Sequence, residues 1–240
     1  GVSQDYGKAK HLFTQAADQG FAKAQFSLGY MYDQSKGVPQ DYAEAARLYR
    51  QAADQGFAKA QFNLGYMYDR GKGVSQNYVE AARLYKLAAE QGLATAQFHL
   101  GYMYDLGKGV PQNYAAAARL YRQAAEQGNA SAQANLGLMH YLGEGVPQDY
   151  AEAVRLFTQA AEQGLTNAQY QLGLLYERGD GVPQDYVEAA RLYALAAEQQ
   201  DALAQYALGY LYDQGKGVPQ NYVEAARLYK QAAEQGYARA

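Results

Sequence analysis

Three histidines, His11, His99 and His140, are the residues of this 240-residue chain whose side chains titrate near neutral pH. They are the first place to look for acid–base chemistry or a metal. His140 stands where a tyrosine recurs and reads as a hydrogen-bonded core histidine. Glu144 follows four residues later, but in the Gly143-Glu144-Gly145 turn, and one such pair supplies too few ligands for a metal. His11 takes an arginine position, and His99 falls on a polar lane with Lys59, Asn63 and Arg70 of an earlier register. Cysteine is absent, which removes disulfides and thiolate metal sites and leaves the compartment open. Gly-x-Gly recurs (Gly71 and Gly73, Gly107 and Gly109), but between helices rather than after a strand, so it is a turn and not a phosphate loop. The 25 tyrosines could stack on sugars or bases, yet they fall at helical spacing and read as core. No catalytic residue, cofactor or metal site is expected.

The elements that carry these residues follow one period. Gly-Val pairs at Gly1, Gly37, Gly73, Gly109, Gly145, Gly181 and Gly217 return every 36 residues without insertion. Self-similarity at such a period marks stacked repeats. The stretch from Gly37 to Lys72 builds one unit. Asp41 is a good helix N-cap and Glu44 completes a capping-box pattern. Tyr42, Ala45, Leu48, Tyr49, Ala52 and Ala53 form a helical stripe, and Gly56 stops the helix. A second helix from about Ala58 to about Tyr68 carries Ala60, Leu64, Met67 and Tyr68, with Gly65 leaving room for a neighbour beside Leu64. Each unit is therefore a helix hairpin, and thirteen helices are expected.

The pattern Asp-Tyr-x-Glu-Ala, Ala-Ala-x-Gln-Gly, Ala-x-x-x-Leu-Gly-x-x-Tyr and Gly-x-Gly-Val resembles the Sel-1-like repeat, a relative of the tetratricopeptide repeat, over essentially all 240 residues. The resemblance implies an all-α fold, an α/α solenoid in which helix-turn-helix repeats wind into a right-handed superhelix. It also implies a scaffold or adaptor for other proteins, with the first helix of each unit lining a concave groove. It implies no catalytic residues.

One elongated domain over 1–240 is expected, with units 1–36, 37–72, 73–108, 109–144, 145–180, 181–216 and a partial 217–240, because no linker or composition shift interrupts the repeat. Net charge is −3 with no basic block, which makes nucleic acid a poor partner, and no stretch approaches the ~18 apolar residues of a membrane helix. Glycine at position 1 and the lack of a signal peptide point to an excised or processed chain.

If the first helices line the groove, its floor carries Arg47, Arg50, Arg83, Lys86, Arg119, Arg122 and Arg155, which suits an acidic or mixed peptide or protein segment. The i,i+3 spacing of Glu44 and Arg47 also predicts local ion pairs wherever the glutamate is kept. A structural spacer or self-stacking array is the alternative function. Unit six replaces the helix-ending glycine by Gln200, so a different turn is expected there. At the carboxyl end Tyr222, Leu228, Tyr229 and Ala232 are expected on a bare face that a second copy could cover.

Overall fold

The computed structural model describes residues 6–237, which divide into two compact units, one running to Ala124 and the other starting at Ala125. Every element among the described residues is a helix. The first unit holds α1 (Tyr6–Asp18), α2 (Ala22–Asp33), α3 (Tyr42–Asp54), α4 (Ala58–Arg70), α5 (Tyr78–Glu90), α6 (Ala94–Leu106) and nearly all of α7 (Tyr114–Glu126). The second holds α8 (Ala130–Leu142), α9 (Tyr150–Glu162), α10 (Thr166–Arg178), α11 (Tyr186–Glu198), α12 (Ala202–Gln214) and α13 (Tyr222–Glu234). The thirteen helices are those the period predicts, and successive helices pack on each other as in an α-solenoid. None is long and apolar enough to cross a membrane.

Local chemistry sets each boundary. The Asp41 carboxylate accepts the Glu44 N–H at 2.9 Å and starts α3. The capping box expected there is only half made. The Asp41 N–H donates instead to Tyr32 O at the end of α2, and the Glu44 carboxylate turns to Arg47. One N-cap thus closes its own helix and fastens it to the preceding one. At the other end Gly56 takes φ +83°, with the Phe57 N–H bonded to Ala52 O and the Gly56 N–H to Ala53 O. This two-bond closure satisfies carbonyls the helix leaves open.

Gln200 holds the same left-handed turn (φ +65°), with the matching bonds to Ala196 O and Ala197 O, so the turn does not change with the residue. The reason is that the flanking helices fix the connection, and Asp201 caps the next helix through the Ala204 N–H at 2.7 Å.

The core is built around one aromatic per unit. Tyr49, Tyr85, Tyr121 and Tyr193 are fully buried, as is Phe157. Each lies on the glycine of the preceding even-numbered helix: a Cβ on Gly65 would stand 3.0 Å from the Tyr85 ring, and one on Gly173 2.6 Å from the Tyr193 ring. Leu64, Leu100 and Leu136, beside these glycines, are buried as the sequence predicts. Gly73 is crowded in another way, since a Cβ there would meet Tyr42 O at 2.1 Å. Its turn packs against the amino end of α3.

Candidate functional site

The exposed arc of the odd-numbered helices has the composition expected of it. Ala43, Arg47, Arg50, Gln51 and Asp54 of α3 all face solvent, opposite the buried stripe. Open clefts lie over α2 and α6 in the first unit and over α10 and α12 in the second, each between the two flanking odd-numbered helices. The cleft formed by α5, α6 and α7 has a volume of about 390 Å³ and is lined by Lys86 and Glu90, by Gln97, Leu100 and Tyr104, and by Arg119. Its counterpart on α9, α10 and α11 keeps the floor (Gln169, Leu172, Tyr176) and changes the rim to Thr158, Glu188 and Arg191. Arg47 lines the cleft on α1, α2 and α3 together with Lys10, Asp18 and Glu44.

Electrostatics separates the seven candidate groove residues. Arg47, Arg83 and Arg155 are each held by the glutamate three residues earlier, through Nε to one carboxylate oxygen and Nη2 to the other, at 2.6–2.9 Å. These hydrogen bonds raise the guanidinium pKa values, and they hold the Glu80 and Glu152 carboxyls below their ordinary value. Arg50 donates to the Tyr68 hydroxyl at 2.7 Å, and Lys86 lies 3.9 Å from Glu90. Arg119 and Arg122 have no ion pair among the described residues; for Arg119 the cause is Ala116, which stands where α3, α5, α9, α11 and α13 have the glutamate. The structure brings Lys86 and Arg119 onto one cleft and places Arg47 on another.

The histidines need correction. His99 is not on a solvated lane. It is half-buried among Phe62, Tyr66, Tyr85 and Phe98, with ring centroids 5.2–6.3 Å away, and burial pulls its pKa below 6.5. An even-numbered helix is covered on several sides, so one stripe on a helical wheel misplaces such a residue. His140 is buried as expected, but its Nδ1 has no hydrogen-bond partner, so it is not fully satisfied. Among the described residues no group of three or more potential ligands could hold a metal.

At the carboxyl end, Leu228 and Ala232 are buried in the structure (2% and 0% exposed), so neither is available for the contact expected of them. Their stripe already packs on α12. Tyr222 is 64% exposed and Tyr229 half-buried, with its ring on Gly209.

A buried amide ladder escaped the sequence reading. Gln61 is 4% exposed, donates to Ala53 O at 3.3 Å, and accepts from Gln91 Nε2 at 2.8 Å. The same bridge joins Gln25 to Gln55, Gln133 to Gln163, Gln169 to Gln199 and Gln205 to Gln235. Its signal was a glutamine at the same two registers of every unit.

The Sel1 repeat matches seven times in succession, at residues 1–21, 22–57, 58–93, 94–129, 130–165, 166–201 and 202–237. The chain belongs to the Sel1-repeat family. Repeats of this kind generally mediate protein–protein interaction. The family frame begins at the second helix, so that one repeat holds α4 with α5, Gly65 under Tyr85, and the Asn77 N–H on Tyr68 O.

Among solved structures, the chain is 40% identical to a protective antigen present in uropathogenic Escherichia coli strains, whose crystal structure displays an SLR fold. It matches with a TM-score of 0.89 over 95% of its own length and 49% of that protein. The chain thus spans about half of that antigen. A Sel1 repeat protein from Oxalobacter formigenes is 38% identical, with a TM-score of 0.81, over 89% of this chain and 86% of that one. An immunity protein from Pseudomonas aeruginosa shares the fold at 22% identity and a TM-score of 0.51, over 91% and 81% of the two chains. A comparison with curated proteins returned no match.

Proposed function

We propose that the chain is a non-catalytic interaction scaffold that takes a peptide or protein segment along the exposed arc of its odd-numbered helices. In the first unit the surface is α3, α5 and α7, with Arg47, Arg50, Arg83, Lys86, Arg119 and Arg122; in the second it begins at Arg155 on α9. The observation that carries this reading is the division of labour within each cleft. The floor residues (Gln97, Leu100, Tyr104; Gln169, Leu172, Tyr176) repeat, while the rim changes from Lys86 to Thr158 to Ala194. A fixed scaffold with a variable rim is how repeat proteins present binding surfaces.

The test starts from a partner recovered with the intact chain. Photocrosslinking residues at Gln51 and Gln123 should mark that partner, and the same residues at Lys59 and Arg70 should not. Reversing charge at Arg83 and Arg119 should weaken its binding on the order of tenfold or more. Unchanged affinity overturns the groove.

A self-associating array is the second reading, and it is favoured by the exposure of Tyr222 (64%) and Val223 (82%) at the first turn of α13. Light scattering on the chain and on Tyr222→Asp separates the two. Association that the substitution abolishes supports the array; a strict monomer at high concentration removes it.

A further inference from the structure

Helix α7 departs from its sister helices in one respect that matters for recognition. In α3, α5, α9, α11 and α13 a glutamate of the first turn grips the arginine three residues on. Helix α7 has no acid in its first turn. Its N-cap survives, with Asn113 Oδ1 accepting the Ala116 N–H at 2.9 Å, so the helix starts like the others. The substitution at 116 therefore leaves the fold intact and releases one guanidinium. Arg119 is exposed, has no ion pair among the described residues, and lines the cleft that also receives Lys86.

Charge follows from the same change. Helix α7 carries Arg119 and Arg122 against Glu126 alone. Helices α3, α5 and α13 carry as many acids as bases, and α9 and α11 one acid more. The α5–α6–α7 cleft is lined by Lys86 and Arg119 against Glu90. The clefts on α9–α10–α11 and α11–α12–α13 are lined by two glutamates against one arginine.

The chain itself displays the ligand that such a guanidinium takes. In the sister helices it holds a glutamate carboxylate through two parallel hydrogen bonds, at 2.6 and 2.7 Å in α3 and 2.7 and 2.9 Å in α5. We infer that Arg119 is the anchor of the α5–α6–α7 cleft, and that it takes a glutamate or aspartate side chain supplied by a bound protein segment in place of the missing residue-116 carboxylate. Lys86 adds a second positive charge on the opposite wall. Two parallel charge-assisted bonds fix orientation as well as affinity. The inference rests on the groove reading and narrows it to one cleft and one chemistry.

The probe is a capped peptide alternating glutamate and glycine, titrated into the full-length ¹⁵N-labelled chain at low salt. The Arg119 side-chain N–H resonance should shift. Ala116→Glu restores the internal grip and should weaken binding by about tenfold or more, as should Arg119→Gln. Arg191→Gln, which removes an arginine already held by Glu188, should leave the affinity within about twofold. Because glutamate occupies this register in the sister helices, Ala116→Glu keeps the fold, which an unchanged helical spectrum verifies. Equal binding to the native chain and Ala116→Glu overturns the anchor, and so does absence of binding to the native chain. A peptide with glutamine for glutamate and a free carboxyl terminus should bind at least about tenfold more weakly; equal affinity overturns the assignment to a side chain. The crosslinks to a recovered partner test the groove separately, so the anchor and the groove can fail independently.

Discussion

His99 and Tyr85 form a pair that the sister units make differently. The buried Tyr49 hydroxyl donates to Asp33 at 3.4 Å, whereas among the described residues the Tyr85 hydroxyl has no partner and His99, in the register of Asn63, lies with its ring 5.2 Å from the Tyr85 ring. Burial among aromatic rings disfavours the imidazolium and outweighs the attraction of Asp69. The folded pKa thus lies below that of the unfolded chain, about 6.5. Below that pH the unfolded chain takes up a proton that the folded one declines, so stability falls as pH drops. His99→Asn should raise stability at neutral pH and flatten this acid limb; melting curves between about pH 5 and 8 check both. Gln200 offers a second test at this scale. Its left-handed backbone costs about 1 kcal/mol that glycine avoids, and no crowding opposes glycine at the equivalent turns. Gln200→Gly should therefore stabilise the chain by about that amount in urea titration. The identity of both residues was plain in the sequence and their settings were not. A wheel drawn for one neighbour hides a site packed from several sides, and a propensity argument cannot see that flanking helices hold a turn in place.

At the scale of the element, the small residue in each even-numbered helix is there for the ring above it. Helix propensity alone favours alanine over glycine by about 1 kcal/mol. Gly173→Ala should still destabilise, because its Cβ would stand 2.6 Å from a ring carbon of Tyr193, a rigid atom with nowhere to go. Gly137→Ala should be far milder, since Phe157 lies 3.3 Å away and can shift by a few tenths of an ångström. If the two substitutions cost the same in thermal melts, the ring contact is not what selects glycine. The helices, their ends and their buried stripes were legible because spacing and capping residues repeat. The Gln61–Gln91 bridge was not, since a glutamine within an apolar helix shows its role only when its partner on the following helix is seen.

For the molecule as a whole, the period was visible at once but its phase was not. A 36-residue repeat can be cut before either helix, and only packing shows that the second helix and the following first one share the ring, the glycine and the N-cap bond. The turns differ accordingly. Nothing stands within 4 Å of a side chain built at Gly56, whereas Gly73 lies against the backbone of α3. A four-residue Gly-Ser insertion after Gln55 should leave the melting temperature nearly unchanged, and one after Lys72 should lower it by several degrees. Equal responses would dissolve the distinction between the two joints. The amide ladder carries a further consequence. The links that Gln61 makes to the helices on either side, Ala53 O on one and Gln91 on the other, are made by uncharged groups, while the charges lie on the rim of the clefts. At 1 M ionic strength electrostatic influence reaches only about 3 Å, so brine weakens attraction at the rim and leaves the amides alone. Adding sodium chloride should release an acidic partner from a scaffold whose melting temperature has scarcely moved. Cohesion and adhesion then answer to different solvents, and salt becomes a way to elute the cargo without loosening its carrier.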